Sequence, residues 1–354
     1  MSQVSEEAPH PPVLRASVHD VRYFAALLRA INLANRATFT VTARGLTITV
    51  EEARTLLGTA FVFSDIFDEY SYQSDAIQSS QESEGAEINV GFEIPLNTLI
   101  ECLNIFGTAG APPTNASIKY KKWKKAGNDS DHDDDDDRRG RGRSEARGLD
   151  AYFSGPDKRT GMRLTYVGPG NPLTLVLAED AAGPTTTCEI ATFEFEPHLE
   201  LPFDASHTVL KVILKSSWLR DALSELDPSF DKLTFIGSPP PEAEDLTSRG
   251  GQMSRAVEKP MLRIQAAGTF GSTEMDYPND REVLETFECK EIVRVSYRFG
   301  HITKTLRALQ SSTKTSLRID EDGLLSLQFL MPSPRGGASD AFIEFRCLAL
   351  DDEI

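Results

Sequence analysis

The chain has 354 residues, 40% of them hydrophobic and 26% charged, with a formal net charge of −17 and a pI near 4.9. That length suits two domains, each able to bury a core of its own, and no apolar run reaches the roughly 20 residues that a membrane-crossing helix needs. The acidic balance argues against nucleic acid as a partner, because binding depends on Lys and Arg neutralising phosphates, unless the two signs are sorted onto different faces.

The start, MSQVSEEAPHPP, lacks a basic stretch followed by an apolar one and predicts no secretory signal. The first periodic segment holds FAALLRAI at Phe24 to Ile31, where Val21, Phe24, Leu28 and Ile31 form an apolar stripe and Arg22, Ala26 and Arg29 the opposite side. Thr38 to Thr42 and Leu46 to Val50 alternate as half-buried strands and are joined by Ala43-Arg44-Gly45, a hairpin with glycine at the tight position. Strands are expected at Ala60 to Ser64 and Ile88 to Ile94, then a second helix with TLIECLNIF at Thr98 to Phe106, whose only charge is Glu101. Further strands follow at Ser117 to Trp123, Met162 to Val167, Leu173 to Leu177 and Thr185 to Phe193.

Glu194 to Phe203, EFEPHLELPF, has no helical period and carries Pro197 and Pro202, so it reads as an extended crossover. Beyond it the scheme repeats. Strands are expected at Thr208 to Leu214, Leu233 to Ile236, Met261 to Ala266, Thr273 to Tyr277, Val283 to Phe287, Val293 to Phe299, Thr315 to Ile319, Leu324 to Phe329 and Ala341 to Cys347. Two more helices hold WLRDALSEL at Trp218 to Leu226 and ITKTLRALQ at Ile302 to Gln310, with Lys215, Arg220, Lys304 and Arg307 off their apolar stripes. Helix starts at 20 and 217 are 197 apart and those at 96 and 301 are 205 apart, the mark of an internal duplication. Helices this short line one side of such sheets only. Any one basic residue on a helix surface can be merely solvated. Three of four equivalent helices carry Lys or Arg outward in an acidic chain, however, which is the sorting of signs that nucleic-acid binding requires.

Polar insertions at about 74–87, 124–160 and 238–259 interrupt the pattern and read as disordered. The largest holds the run Asp133 to Asp137 followed by RRGRGR at Arg138 to Arg143, which lacks the spaced ligands and turn glycine of a calcium loop and reads as a solvated tether. Cys102, Cys188, Cys289 and Cys347 form no CxxC pair and read as reduced thiols of a cytosolic or nuclear protein.

Five stretches, GLTITVEEARTLLGTAFVFSDIFDEY from Gly45, IECLNIFG from Ile100, LRDALSELD from Leu219, MDYPNDREVLETFEC from Met275 and GLLSLQFLM from Gly323, resemble PCNA-like sliding clamps. Within that family they are similar to the central subunit of the heterotrimeric checkpoint clamp, the nine-one-one ring. The resemblance covers about residues 14 to 350 apart from the insertions. It implies an α+β DNA-clamp fold of two topologically similar β-rich domains, over 13–193 and 207–350, joined by an interdomain connector over 194–206. Each domain would carry two short helices on the inner face of a ring and antiparallel sheet outside.

The resemblance further implies that Arg22, Arg29, Lys215, Arg220, Lys304 and Arg307 face double-stranded DNA and touch phosphates without reading bases. Edge strands would close the ring against two other PCNA-like clamp subunits, through Thr185, Thr187 and Glu189 on one side and Thr273, Met275 and Tyr277 on the other. Leu46, Leu199, Leu201, Leu324 and Leu348 would line a pocket for the apolar plug of client peptides, repair enzymes and checkpoint mediators among them. Ordinary core or linker packing is the alternative for each leucine, and Arg346 stands where the replicative clamp has an aromatic ring. A nuclear DNA-damage checkpoint role without catalysis follows from the resemblance. The alternative is a metal-dependent 3'-5' exonuclease on the same scaffold, for which Glu194 and Glu196 are the available carboxylates but without an evident third. No GxxxxGK[ST] phosphate loop occurs, so no cofactor is expected and loading onto DNA would fall to a separate ATP-dependent clamp loader.

Overall fold

In the computed structural model the described residues are 11–73, 90–109, 159–179, 183–239, 261–278, 280–334 and 340–351. The strand expected at Ser117 to Trp123, the aspartate run and the insertion at 74–87 lie outside them. The first half runs β1 (Leu14–Val18), α1 (Val21–Ala30), β2 (Arg36–Thr42), β3 (Gly45–Glu52), β4 (Leu56–Phe63), β5 (Glu69–Tyr72), β6 (Val90–Pro95), α2 (Leu96–Leu103), β7 (Gly161–Tyr166), β8 (Leu173–Ala178) and β9 (Thr185–Ile190). The second half runs β10 (Thr208–Lys215), α3 (Ser216–Glu225), β11 (Lys232–Gly237), β12 (Leu262–Gly268), β13 (Gly271–Tyr277), β14 (Leu284–Cys289) and β15 (Val293–Arg298). It ends with α4 (Phe299–Lys304), α5 (Leu306–Ser311), β16 (Lys314–Asp320), β17 (Leu325–Met331) and β18 (Ala341–Cys347).

The duplication is visible in the strand orders. The first half contributes β5-β1-β7-β8-β9 and β4-β3-β2-β6; the second contributes β14-β10-β16-β17-β18 and β13-β12-β11-β15. Adding nine to each label of the first half gives the second. The halves fuse because β18 pairs antiparallel with β4, from Phe342 opposite Phe61 to Cys347 opposite Leu56, which makes one nine-stranded sheet between a five-stranded and a four-stranded one. Gly45 closes the β2–β3 hairpin at φ +143°, where a Cβ would stand 2.2 Å from Val62 O, so glycine is required at that turn.

The helices form one continuous row across both halves, α2 against α1, α1 against α5 and α5 against α3. They cover one face of the central sheet, onto which Leu46, Ile48 and Val50 of β3, Leu327 and Phe329 of β17, and Ile343 and Phe345 of β18 point as buried core. Tyr23 of α1 ties the halves together: its hydroxyl donates to Met331 O at 2.7 Å and accepts from the Ala341 N–H at 3.1 Å. Burial pushes the phenol up to about 12, the hydrogen bond from Ala341 opposing the shift.

Two short elements were not among the expected strands. β1 has only Leu14, Ala16 and Val18 on its inward side, and β5 is four residues long. Both are strands because they pair, β1 holding β5 on one side and β7 on the other. The helix expected over Ile302 to Gln310 is two helices broken at Thr305, whose hydroxyl donates to Ile302 O at 2.7 Å and which opens α5.

Candidate nucleic-acid interface and connector site

The six basic residues expected to face a duplex do not share one environment. Arg22 is 3% exposed and is not on a solvated face, contrary to expectation. Asp20 caps α1 by accepting the Arg22 N–H at 3.0 Å, and the Arg22 guanidinium folds back to donate to the same carboxylate at 2.8 and 3.0 Å. Burial alone would raise the Asp20 pKa, but the hydrogen bonds and charge of Arg22 outweigh it and hold the carboxyl below its ordinary value. Helical spacing placed Arg22 opposite the leucines correctly. It could not show that the guanidinium folds back onto Asp20 and is buried there. Arg29 is half-buried and donates to Ala109 O at 2.6 Å, and burial lowers its pKa.

The cations of the second half are more open. Lys215 precedes α3 and is exposed, Arg220 is about one-third exposed and pairs with its neighbour Asp221 at 2.8 Å, and Arg307 on α5 is exposed. Lys304, also exposed, is ion-paired with Glu52 of β3, which emerges on the same side of the sheet as the helices. Lys304 and Arg307 line a recess of about 300 Å³ with Asn32, Leu33 and Thr303, at the place where α1 ends against the second half. This floor of helices can offer diffuse positive charge and backbone-level contacts to a phosphate chain; none of its groups is built to read base edges.

The opposite face of the central sheet is polar and carries the connector. Glu93 Oε1 accepts the Glu196 N–H at 3.2 Å, Glu51 Oε2 accepts the Leu199 N–H at 2.7 Å, and Arg346 donates to Leu201 O at 2.7 Å. The guanidinium of Arg318 lies 4.8 Å over the Phe203 ring. Beneath the strand-like connector, buried Glu344 accepts from Ser326 at 2.7 Å and from Arg346 at 2.9 Å. The connector is thus strapped across β6, β3 and β18 by its own backbone and onto β16 by the Phe203 ring.

Leu201 and Leu324 pack with Leu57 in a small apolar cluster, with Leu199 and Phe203 against it. Leu46 and Leu348 of the expected pocket are not part of that cluster. Leu46 is 1% exposed in the main core, because strand alternation sends it to the helix side of β3. Leu348 is 39% exposed just past β18, its N–H bonded to Thr55 O. Leu57 was missed; its place in the alternation of β4, on the connector side, is the signal that identifies it. Arg346 holds the connector down through Leu201 O.

The two predicted edges are unpaired on their outer side among the described residues: β9 ends the five-stranded sheet and β13 the four-stranded one. Thr185, Thr187, Glu189 and Thr273 are exposed and Met275 half-exposed, but Tyr277 is buried, donating to Trp218 O at 3.2 Å. Its contribution to an edge is therefore backbone only. Glu194 and Glu196 are exposed on the connector, and no cluster of three His, Cys, Asp or Glu side chains suited to a metal occurs among the described residues. Burial, with Cys188 of β9 close by, raises the pKa of Cys102 on α2; all four cysteines are free.

Comparison with known proteins places this architecture. The family model described as repair protein Rad1/Rec1/Rad17 matches residues 13–331. Cell cycle checkpoint protein RAD1 of Mus musculus is 28% identical over 354 residues, spanning 100% of this chain and 98% of that protein. DNA repair exonuclease REC1 of Mycosarcoma maydis is 28% identical over 452 residues, spanning 96% of each. Among solved structures, the proliferating cellular nuclear antigen of Entamoeba histolytica superposes with a TM-score of 0.61 over 96% of this chain and 100% of that one, at 11% identity, a likeness of fold.

Proposed function

Because the chain belongs to the Rad1/Rec1/Rad17 repair-protein family, we propose that it is a non-catalytic subunit of a heterotrimeric DNA-damage checkpoint sliding clamp. It supplies one arc of a ring that encircles DNA in the nucleus and recruits checkpoint signalling and repair factors. The observation that carries the reading is the repeat itself. β18 meets β4 inside the chain, and their repeat partners, β9 and β13, are left as open edges at opposite ends of the molecule. The same junction made between chains would continue the sheet from one subunit to the next. In such a ring the helix row faces the hole, where Lys215, Arg220, Lys304 and Arg307 lie near phosphates, while the acidic remainder discourages contact elsewhere.

The test is topological. The chain is purified with two further clamp-fold chains of the same cell and placed by an ATP-driven clamp loader on a nicked circle. The complex is expected to stay on the closed circle and to leave when the circle is cut. Equal loss from circle and linear DNA would overturn the encirclement.

The relative named as an exonuclease favours a second reading, metal-dependent 3'-5' digestion. Here Glu196 lies beside Glu93, whose carboxylate accepts its N–H. End-labelled DNA with Mg²⁺ decides between them: degradation that disappears in E194A/E196A would replace the non-catalytic reading.

A further inference from the structure

The internal junction is a template for the external ones, since strand n of the first half corresponds to strand n+9 of the second. At β18–β4, inward Ile343 faces Ala60 and inward Phe345 faces Gly58, all buried, with the Phe345 ring 3.0 Å from where a Gly58 Cβ would be. Tyr23, third residue of α1, crosses this junction to Met331 and Ala341. The Leu348 N–H extends it to Thr55 O.

The register of the neighbouring strands carries these positions onto the open edges. Leu327 faces Phe345 as Leu175 faces Cys188, and Glu52 faces Leu56 as Gly268 faces Gly271. Met275 then takes the place of Ala60, Thr273 that of Gly58, and Phe270 that of Thr55. Trp218, third residue of α3, takes the place of Tyr23. The aromatic that is 8% exposed across the internal junction is 45% exposed here, and Phe270 is 92% exposed. Both sit where their counterparts meet a partner strand.

A second copy of this chain would fill that place badly. Its β9 would set Thr186 against Met275 and Cys188 against Thr273 on the inward side, and Thr185 and Thr187 against Asp276 and Glu274 on the outward side. Neither edge strand contains a Lys or Arg, and the one guanidinium beside β13, Arg263, already bridges Glu274 at 3.1 Å and Asp276 at 2.6 Å. Two copies at −17 each would also repel at long range.

We infer that the β13 edge docks the edge strand of a different clamp-fold chain, anchored by Trp218 and Phe270. That strand places Lys or Arg opposite Glu274 and Asp276 and apolar side chains opposite Thr273 and Met275. The inference rests on the ring reading above and assigns the partner chemistry of one of its two boundaries. Opposite charges facing across paired strands favour the contact and like charges oppose it, and buried aromatic anchors carry most of an interface's strength.

The experiment measures binding of the chain to each of two other clamp-fold chains of the same cell, separately, for wild type, W218A/F270S and E274K/D276K. Both variants change exposed residues, and unchanged thermal midpoints check their folding. Each is expected to lose about tenfold or more in affinity for one partner and nothing for the other, which meets β9. Reversing the partner's facing cations to Glu should restore binding to E274K/D276K. Wild-type affinity of both variants for both partners would overturn the inference while leaving the ring reading intact, whereas a homotrimer formed by the wild-type chain alone would overturn both the inference and the heteromeric ring. Failure of the wild type to bind either chain would overturn the ring reading itself.

Discussion

Arg22 and Tyr23 show how adjacent residues of one short helix serve different ends. Arg22 looks like a DNA contact in sequence, yet it is a buried cation paired with the helix cap Asp20. Removing it leaves that carboxylate half-buried without its cation, so Arg22→Leu should lower stability by about 2–3 kcal/mol in thermal or urea unfolding and leave DNA retention of the folded ring unchanged. Tyr23 is a stitch between the halves, and its pKa near 12 has a direct consequence for alkaline stability. The folded value lies above the unfolded value of about 10, so the stabilisation is complete below pH 10 and is lost as pH rises through about 12. Tyr23→Phe should reduce stability at neutral pH by about 1 kcal/mol and flatten this residue's share of the alkaline slope, which denaturant midpoints measured from pH 8 to pH 11 would read. An unchanged slope would show that the hydroxyl is not buried between the halves in solution.

The connector is the element in which sequence and structure each told part of the story. Its lack of helical period and its two prolines predict an extended segment, and it is one; its leucines read as lining a client pocket, and the structure seats Leu201 in a cluster of the chain's own making. A client plug aimed at this cluster therefore competes with Leu201 and with the bond from Arg346 to its carbonyl. Leu201→Ala should cost about 2 kcal/mol locally, seen as faster hydrogen exchange of the Leu199 amide, which Glu51 holds. Exchange as slow as in wild type would mean that the strap does not depend on this side chain. Period and alternation were enough to locate most strands and all four helical segments. β1 and β5 escaped because their strand character comes from neighbours distant in sequence, and the break in the fourth helix because it is confined to one residue, Thr305, whose N–H and hydroxyl both bond Ile302 O.

At the scale of the whole molecule, duplication explains the architecture, and its effect was legible as two spacings between similar helices. What spacing could not reveal is that the repeats diverged in charge on the helix row. The first half contributes a buried Arg22 and a half-buried Arg29 to that row. The second contributes the open cations: Lys215 and Arg307 have no ion pair among the described residues, whereas Arg220 and Lys304 are each held by a carboxylate. A duplex in the ring would accordingly lean on the second half of this arc. Each phosphate neutralised by a side chain contributes about −0.9 to the slope of log affinity against log salt, so K215E/R307E should make that slope less negative by about 2. The variant should also shorten the dwell of the assembled ring on nicked circles at low salt, without altering assembly, because neither residue is an anchor such as Trp218 or Phe270 or lies on β9 or β13. Reversing Arg22 cannot substitute for this pair, since it would unfold α1 before it could be read. Retention and salt slope unchanged in K215E/R307E, with the ring intact, would place the duplex away from α3 and α5 and would require a different face of the molecule to line the hole.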